Sequence, residues 1–185
     1  DSVEAAPRSE FPLGLGRQAL ARPGRIGGRV GPRHLDDGVV KSAEKHGIGL
    51  IPSLFWHTAT VPDLVGEPCD QWGNPAGKTC EFLRAYTREV VTRYRSSPAI
   101  WGWQFGNEYN LPADLPNAAE HRPPVQPKLG TPAGRSARDE LTSDAVRIAF
   151  AEFARQVRHL DGGRIITTGD ALPRRSAWHQ RKEWS

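Results

Sequence analysis

From Asp36 onward, apolar positions fall into two alternating patterns that predict a succession of helices and strands. Asp36 and Asp37 can cap a short helix carrying Val39, Val40 and Ala43, with Lys45 and His46 in its last turn and Gly47 as its stop. The run Ile48 to Phe55 that follows is almost wholly apolar, as expected of a strand buried on both faces. A helix over about Cys80 to Arg95 places Phe82, Leu83, Tyr86, Val90 and Tyr94 on one side and leaves Arg84, Arg88 and Glu89 to solvent. A strand is predicted over Ala99 to Gly106. The stripe Val146, Ala149, Phe150, Phe153, Ala154 and Val157 marks a helix over about Ser143 to Leu160, closed by Gly162-Gly163. Arg164 to Gly169 reads as a third strand finishing at Asp170.

Strands that return through helices re-enter a sheet in the same direction, so the pattern predicts an α/β protein with parallel pairing. The helix-to-strand connections are short, at Ser96 to Pro98 and Asp161 to Gly163, whereas the strand-to-helix connections run from about Trp56 to Thr79 and Tyr109 to Thr142. Function in parallel α/β proteins collects at the C-terminal ends of the strands, where these long loops lie. The second loop contains six prolines between Leu111 and Arg135, suited to a rigid wall over a groove or to an irregular surface loop.

Residues 1–35 differ from the rest. Gly, Arg, Ala and Pro dominate them without either apolar period, so they are expected to be irregular or disordered, with one domain over residues 36–185. The chain carries 25 Lys and Arg against 21 Asp and Glu, but six of the arginines lie within this N-terminal segment. A nucleic-acid binder gathers its cations on a folded element with aromatics between them, so nucleic acid is not an expected partner. No apolar run reaches the roughly 18 residues of a membrane span, and no basic-then-apolar leader opens the chain. The chain begins at Asp1 and has no methionine, which predicts a processed, truncated or partial product. Cys69 and Cys80 would staple the first long loop as a disulfide in an exported protein, and two free thiols are the alternative. Asp70 and Glu120-His121 offer no recognised metal-ligand spacing, so neither a metal nor another cofactor is expected.

The chemistry is concentrated in Trp101-Gly-Trp-Gln-Phe-Gly-Asn-Glu-Tyr-Asn110, a strand that ends in an Asn-Glu pair. With Pro98 to Ile100 before it, this segment resembles the fourth-strand motif of the (β/α)8 glycoside hydrolases of the cellulase and mannanase type, the family 5-like members of the retaining clan. Arg93-Tyr-Arg-Ser-Ser-Pro98 resembles their helix-to-strand passage, and Lys45-His-Gly-Ile-Gly-Leu-Ile-Pro52 their third strand. The resemblance covers about residues 36 to 175. It implies a partial TIM barrel of roughly strands 3 to 5, a carbohydrate substrate and hydrolysis of O-glycosyl bonds. Glu108 matches the general acid/base and Asn107 the residue that hydrogen-bonds the sugar 2-hydroxyl. His57 is similar to a subsite histidine, and Trp56, Tyr109 and Asn110 occupy positions where substrate contacts are expected.

The residue types suit this chemistry. A glycosidic oxygen leaves poorly unless protonated, so its donor must stay a neutral acid, and neighbouring Trp101, Trp103 and Phe105 could raise the Glu108 pKa by desolvation. Exposed aromatic faces suit the apolar faces of pyranose rings, but ordinary barrel and helix packing is the favoured role for Trp101 and Trp103. Strict alternation sends Asn107 and Glu108 to opposite faces, so one site needs a break in the pleat, for which Gly106 is well placed. Retention also requires a second carboxylate about 5 to 5.5 Å from the acid. The resemblance puts it on a seventh strand. Asp170 matches no nucleophile position, Glu183 lies in a tail where no further strand can be read, and a barrel takes about 250 residues. The expectation is therefore a fragment with the acid/base and without the nucleophile, from a parent favoured to be extracellular or periplasmic. The alternative is a non-catalytic carbohydrate-binding or interaction fragment.

Overall fold

The computed structural model describes residues 37–171. The N-terminal segment 1–35, the Asp36 cap and Glu183 lie outside the described residues. Four α-helices are described: α1 (Asp37–His46), α2 (Thr60–Val65), α3 (Lys78–Tyr94) and α4 (Ser143–Leu160). Three strands, β1 (Ser53–Phe55), β2 (Gly102–Gly106) and β3 (Ile165–Thr167), form one parallel sheet in the order β1-β2-β3. Short 3-10 turns occupy Cys69–Gly73, Ala118–His121, Pro127–Leu129 and Ala137–Asp139.

The expected helices form because their apolar stripes find a common core. Phe82, Leu83, Tyr86, Val90 and Tyr94 of α3 are all buried, as are Val146, Ala149, Phe153 and Val157 of α4. The bounds of α4 match the sequence reading, and its N-terminus is capped twice: the Thr142 side chain accepts from Ala145 N–H and the Asp114 carboxylate from Ser143 N–H. Gly47, at φ +65°, stops α1 in the left-handed conformation. The two long helices pack with rings of the sheet and of the first loop. Phe55, Trp72, Phe105, Tyr109, Phe150 and Phe153 form one cluster with centroid separations between 4.8 and 6.4 Å.

The strands differ from expectation in two respects. The first is shorter: Leu54 and Phe55 are buried, but Ile48 and Ile51 are about half exposed at 56% and 47%, so burial on both faces does not extend along Ile48 to Phe55. Pro52 has no N–H to donate and contributes only its carbonyl, which accepts from Gln104 N–H. Pairing also slips here. Trp101 N–H bonds Leu50 O and Gln104 N–H bonds Pro52 O, so two residues of one strand face three of the other. This bulge lies at Trp101, which is 61% exposed, whereas Trp103 is fully buried and donates to Asp161 at 2.9 Å. The first long loop is not structureless either, since α2 and the Cys69–Gly73 turn fill it.

Candidate functional site

The two strand-to-helix loops and the end of β3 meet at the C-terminal edge of the sheet. Phe55 is in register with Gly106, so Trp56-His57 and Asn107-Glu108 leave neighbouring strands side by side. On the other flank, Gly106 N–H bonds Thr168 O at 3.2 Å and Glu108 N–H bonds Gly169 O at 2.9 Å, which brings Asp170 to the same edge. Asn107 and Glu108 are half-buried, while Trp56 and His57 are exposed. His57 Nδ1 accepts from Ala59 N–H at 3.3 Å.

The break in the pleat exists and falls two residues later than expected. Glu108 itself is left-handed, at φ +55°. Left-handed geometry is uncommon for a residue with a Cβ and persists only where the surroundings impose it. Gly106 has a different part in the turn. A Cβ there would stand 2.5 Å from the Tyr109 ring and 2.7 Å from Phe55 O, so its bare Cα lets Tyr109 fold back under the strand.

That fold-back corrects the expected role of Tyr109. Its ring is fully buried, 5.0 Å from Phe105 and 5.9 Å from Trp72, and among the described residues its hydroxyl has no hydrogen-bond partner. Burial, with a smaller contribution from nearby Cys69, pushes the phenol well above its usual range. Tyr109 is a packing residue here, unlike exposed Trp56. Trp103, bonded to Asp161, and Phe105, packed on Phe150 and Phe153, likewise face the helical layer. Asn110 is bound by its amide to the backbone of Ala171, with both contacts at 3.0 Å.

Asp170 is exposed as a residue, yet partial burial of its carboxyl raises its pKa above the usual carboxylate value, against opposing hydrogen bonds from Thr168 and the Asn110 backbone. Cys69 and Cys80 are both free and buried, and desolvation pushes their thiols up to about 12 and about 11.

The Pro-rich loop is anchored by contacts that the sequence does not announce. Arg135 makes a two-pronged pair with Asp63 of α2, at 2.6 and 2.8 Å, and reaches Asp139 at 3.3 Å, with its side chain only 5% exposed. Arg138 pairs with Asp70 at 2.8 Å, and Arg122 with Glu140. The loop after β2 is thus stapled to the loop after β1, 72 residues away along the chain. Among the described residues no helix is long and apolar enough to cross a membrane.

A parallel α/β sheet with a carboxylate, an asparagine and a histidine gathered at its C-terminal edge has the layout of an enzyme site, and comparison with known proteins gives the class: the chain is similar to glycoside hydrolases. No protein-family model matches it. It is 39% identical over 88 residues to a probable mannan endo-1,4-beta-mannosidase F of Aspergillus flavus, covering 44% of this chain and 18% of the relative. It is 40% identical over 79 residues to a probable mannan endo-1,4-beta-mannosidase A of the same organism, and 41% over 80 residues to the A-1 form of Aspergillus terreus, each covering 39% of this chain and 20% of the relative. The chain therefore spans about a fifth of the length of the curated relatives it matches. The resemblance to glycoside hydrolases of the mannanase type is borne out by these relatives.

Proposed function

We propose that residues 36–185 are the acid/base-bearing segment of a retaining glycoside hydrolase that cleaves β-1,4-mannan, and that they form roughly the third to fifth strands of a (β/α)8 barrel. The observation that carries this reading is Glu108, left-handed at the C-terminal end of the middle strand, beside Asn107 and flanked by His57 and Asp170. Parallel order, long loops at one edge and the mannanase relatives support it.

In the proposed reaction Glu108 gives its proton to the glycosidic oxygen as the bond to the anomeric carbon breaks. A nucleophilic carboxylate from outside these residues attacks from the opposite face and forms the glycosyl-enzyme. Glu108, now ionised, takes a proton from the water that releases it. Asn107 holds the 2-hydroxyl, and Trp56 and His57 line the neighbouring sugar position. An exposed indole suits the apolar face of a pyranose ring.

The test is Glu108→Ala in the full-length protein. Its kcat/KM on β-1,4-mannan should fall by about 10²- to 10⁴-fold, the range of a general acid, while an aryl mannoside with an activated leaving group is spared. Unchanged hydrolysis of mannan contradicts the assignment; retained mannan binding without hydrolysis by the wild-type protein would favour a carbohydrate-binding module. The 185-residue chain alone should not turn over substrate, and robust turnover would place the nucleophile within it.

A further inference from the structure

Beyond Thr167 the second and third strands stop pairing as a regular ladder, yet their ends remain locked together. Glu108 N–H donates to Gly169 O at 2.9 Å. Two residues on, the Asn110 side chain stands in for a backbone peptide: Nδ2 donates to Ala171 O and Oδ1 accepts from Ala171 N–H, both at 3.0 Å. The carboxamide has the donor and acceptor needed to bond both polar backbone atoms of one residue. The Asn110 backbone is also engaged, hydrogen-bonding the Asp170 carboxyl.

Between these two anchors lie two left-handed residues on adjacent strand ends, Glu108 at φ +55° and Gly169 at φ +78°. Gly169 admits no side chain, because a Cβ would stand 2.0 Å from Gly106 O. Glu108 has a Cβ and holds the same backbone region without that freedom, so something must impose its conformation.

The geometry points to Asn110 as a positioning residue for Glu108: its side-chain amide clamps the chain to the end of β3 and fixes the left-handed turn that aims the carboxyl. This rests on the reading of Glu108 as proton donor. It replaces the expectation of Asn110 as a sugar contact with a role exerted through Glu108. Released from Ala171, the turn relaxes and the acid moves away from the glycosidic oxygen, while the sugar subsites stay formed.

The experiment uses the full-length protein with Asn110→Ala and the near-isosteric Asn110→Asp, which keeps the acceptor and removes the donor. Kinetics are compared on phenyl and 2,4-dinitrophenyl β-mannobiosides. Only the phenyl leaving group needs protonation, so kcat/KM should fall on the order of 10²-fold for it, the scale of a misplaced catalytic group, and within about threefold for the dinitrophenyl substrate. A residue that merely supports the fold would not make the loss depend on the leaving group. Equal losses on both substrates would make Asn110 a sugar contact, and unchanged kinetics would make the clamp dispensable. Failure of both variants to fold would make Asn110 purely structural. Each of these three results overturns the proposal. Failure of the underlying reading looks different: Glu108→Ala would then keep wild-type turnover of the phenyl substrate.

Discussion

Two aspartates flank β3, and burial acts on both with opposite outcomes. Asp161, on the N-terminal side, is buried, which pushes its carboxyl up, but hydrogen bonds from Trp103 and Arg164 and the guanidinium charge outweigh this and hold it below the usual value. Asp170, on the C-terminal side, is raised by burial, and the hydrogen bonds from the Thr168 hydroxyl and the Asn110 N–H do not offset this, so it is held above the usual value. The contrast extends to the two edges of the sheet. At the N-terminal edge the connections are short, and Arg164 caps Ile100 O at 2.6 Å and Ser97 O at 2.9 Å while pairing with Asp161. At the C-terminal edge the connections are long, Glu108 and Asp114 have positive φ, and Trp56 is 65% exposed. At one edge Arg164 ties the strands together; the other holds the left-handed Glu108, and under the proposed function it is the edge that substrate meets.

Changes at the N-terminal edge should cost stability rather than chemistry. Trp103→Ala removes a fully buried ring and the partner of Asp161, and should cost about 3–5 kcal/mol in chemical unfolding of the full-length protein. The kinetics of the remaining folded molecules should be unchanged; a normal midpoint would contradict the account. At the other edge, Asp63→Ala strips Arg135 of its two-pronged partner and leaves it Asp139 and the Pro124 carbonyl. A loss of about 2 kcal/mol is expected, less than for a buried pair broken outright. Here KM for mannan should rise as the stapled loops separate, and a stability loss with unchanged KM would show that the wall does not line the substrate.

Smaller effects follow from titration. Both thiols have folded-state values raised by burial from an ordinary 9.0, to about 12 for Cys69 and about 11 for Cys80. Their contribution is fully present below pH 9 and is lost as pH rises through those values, so unfolding midpoints should fall across that window. At pH 8 neither thiol should react with a disulfide reagent until the protein unfolds. For Asp170 the same sign applies in the acid range: its contribution is present below the ordinary carboxylate value and lost as pH rises through the raised one. Asp170→Asn should therefore slightly stabilise the protein at neutral pH, whereas Asp161→Asn should destabilise it there and flatten its loss of stability as acid titrates the depressed carboxyl.

The parts of this molecule governed by local spacing are legible in the sequence. The stripe of α4 and its Gly162-Gly163 exit are written within twenty residues, and the α3 stripe is equally local, so both helices lie where periodicity places them. Parallel pairing follows from the alternation of elements. The shortening of β1 depends on a bulge between strands, which no single segment encodes. At the candidate site, the residues Asn107 and Glu108 can be read directly, but the site of the pleat break cannot, because Gly106 offers the freedom while Glu108 takes the unusual conformation. Once Glu108 turns, alternation no longer says where Tyr109 goes, and it enters the core. Asn110 and Arg135 find their partners 61 and 72 residues away, contacts that only the assembled sheet brings together.

Chemical rescue reads out whether Glu108, at the strained edge, is the proton donor. With Glu108→Ala in the full-length protein and a 2,4-dinitrophenyl β-mannobioside, the glycosyl-enzyme forms without acid help but waits for a general base. Azide, which needs none, attacks the anomeric carbon and displaces the enzyme carboxylate. Azide should raise kcat and give the glycosyl azide of retained, β configuration if Glu108 is the proton donor. Unchanged kcat with no azide product, or an azide of inverted configuration, would contradict it.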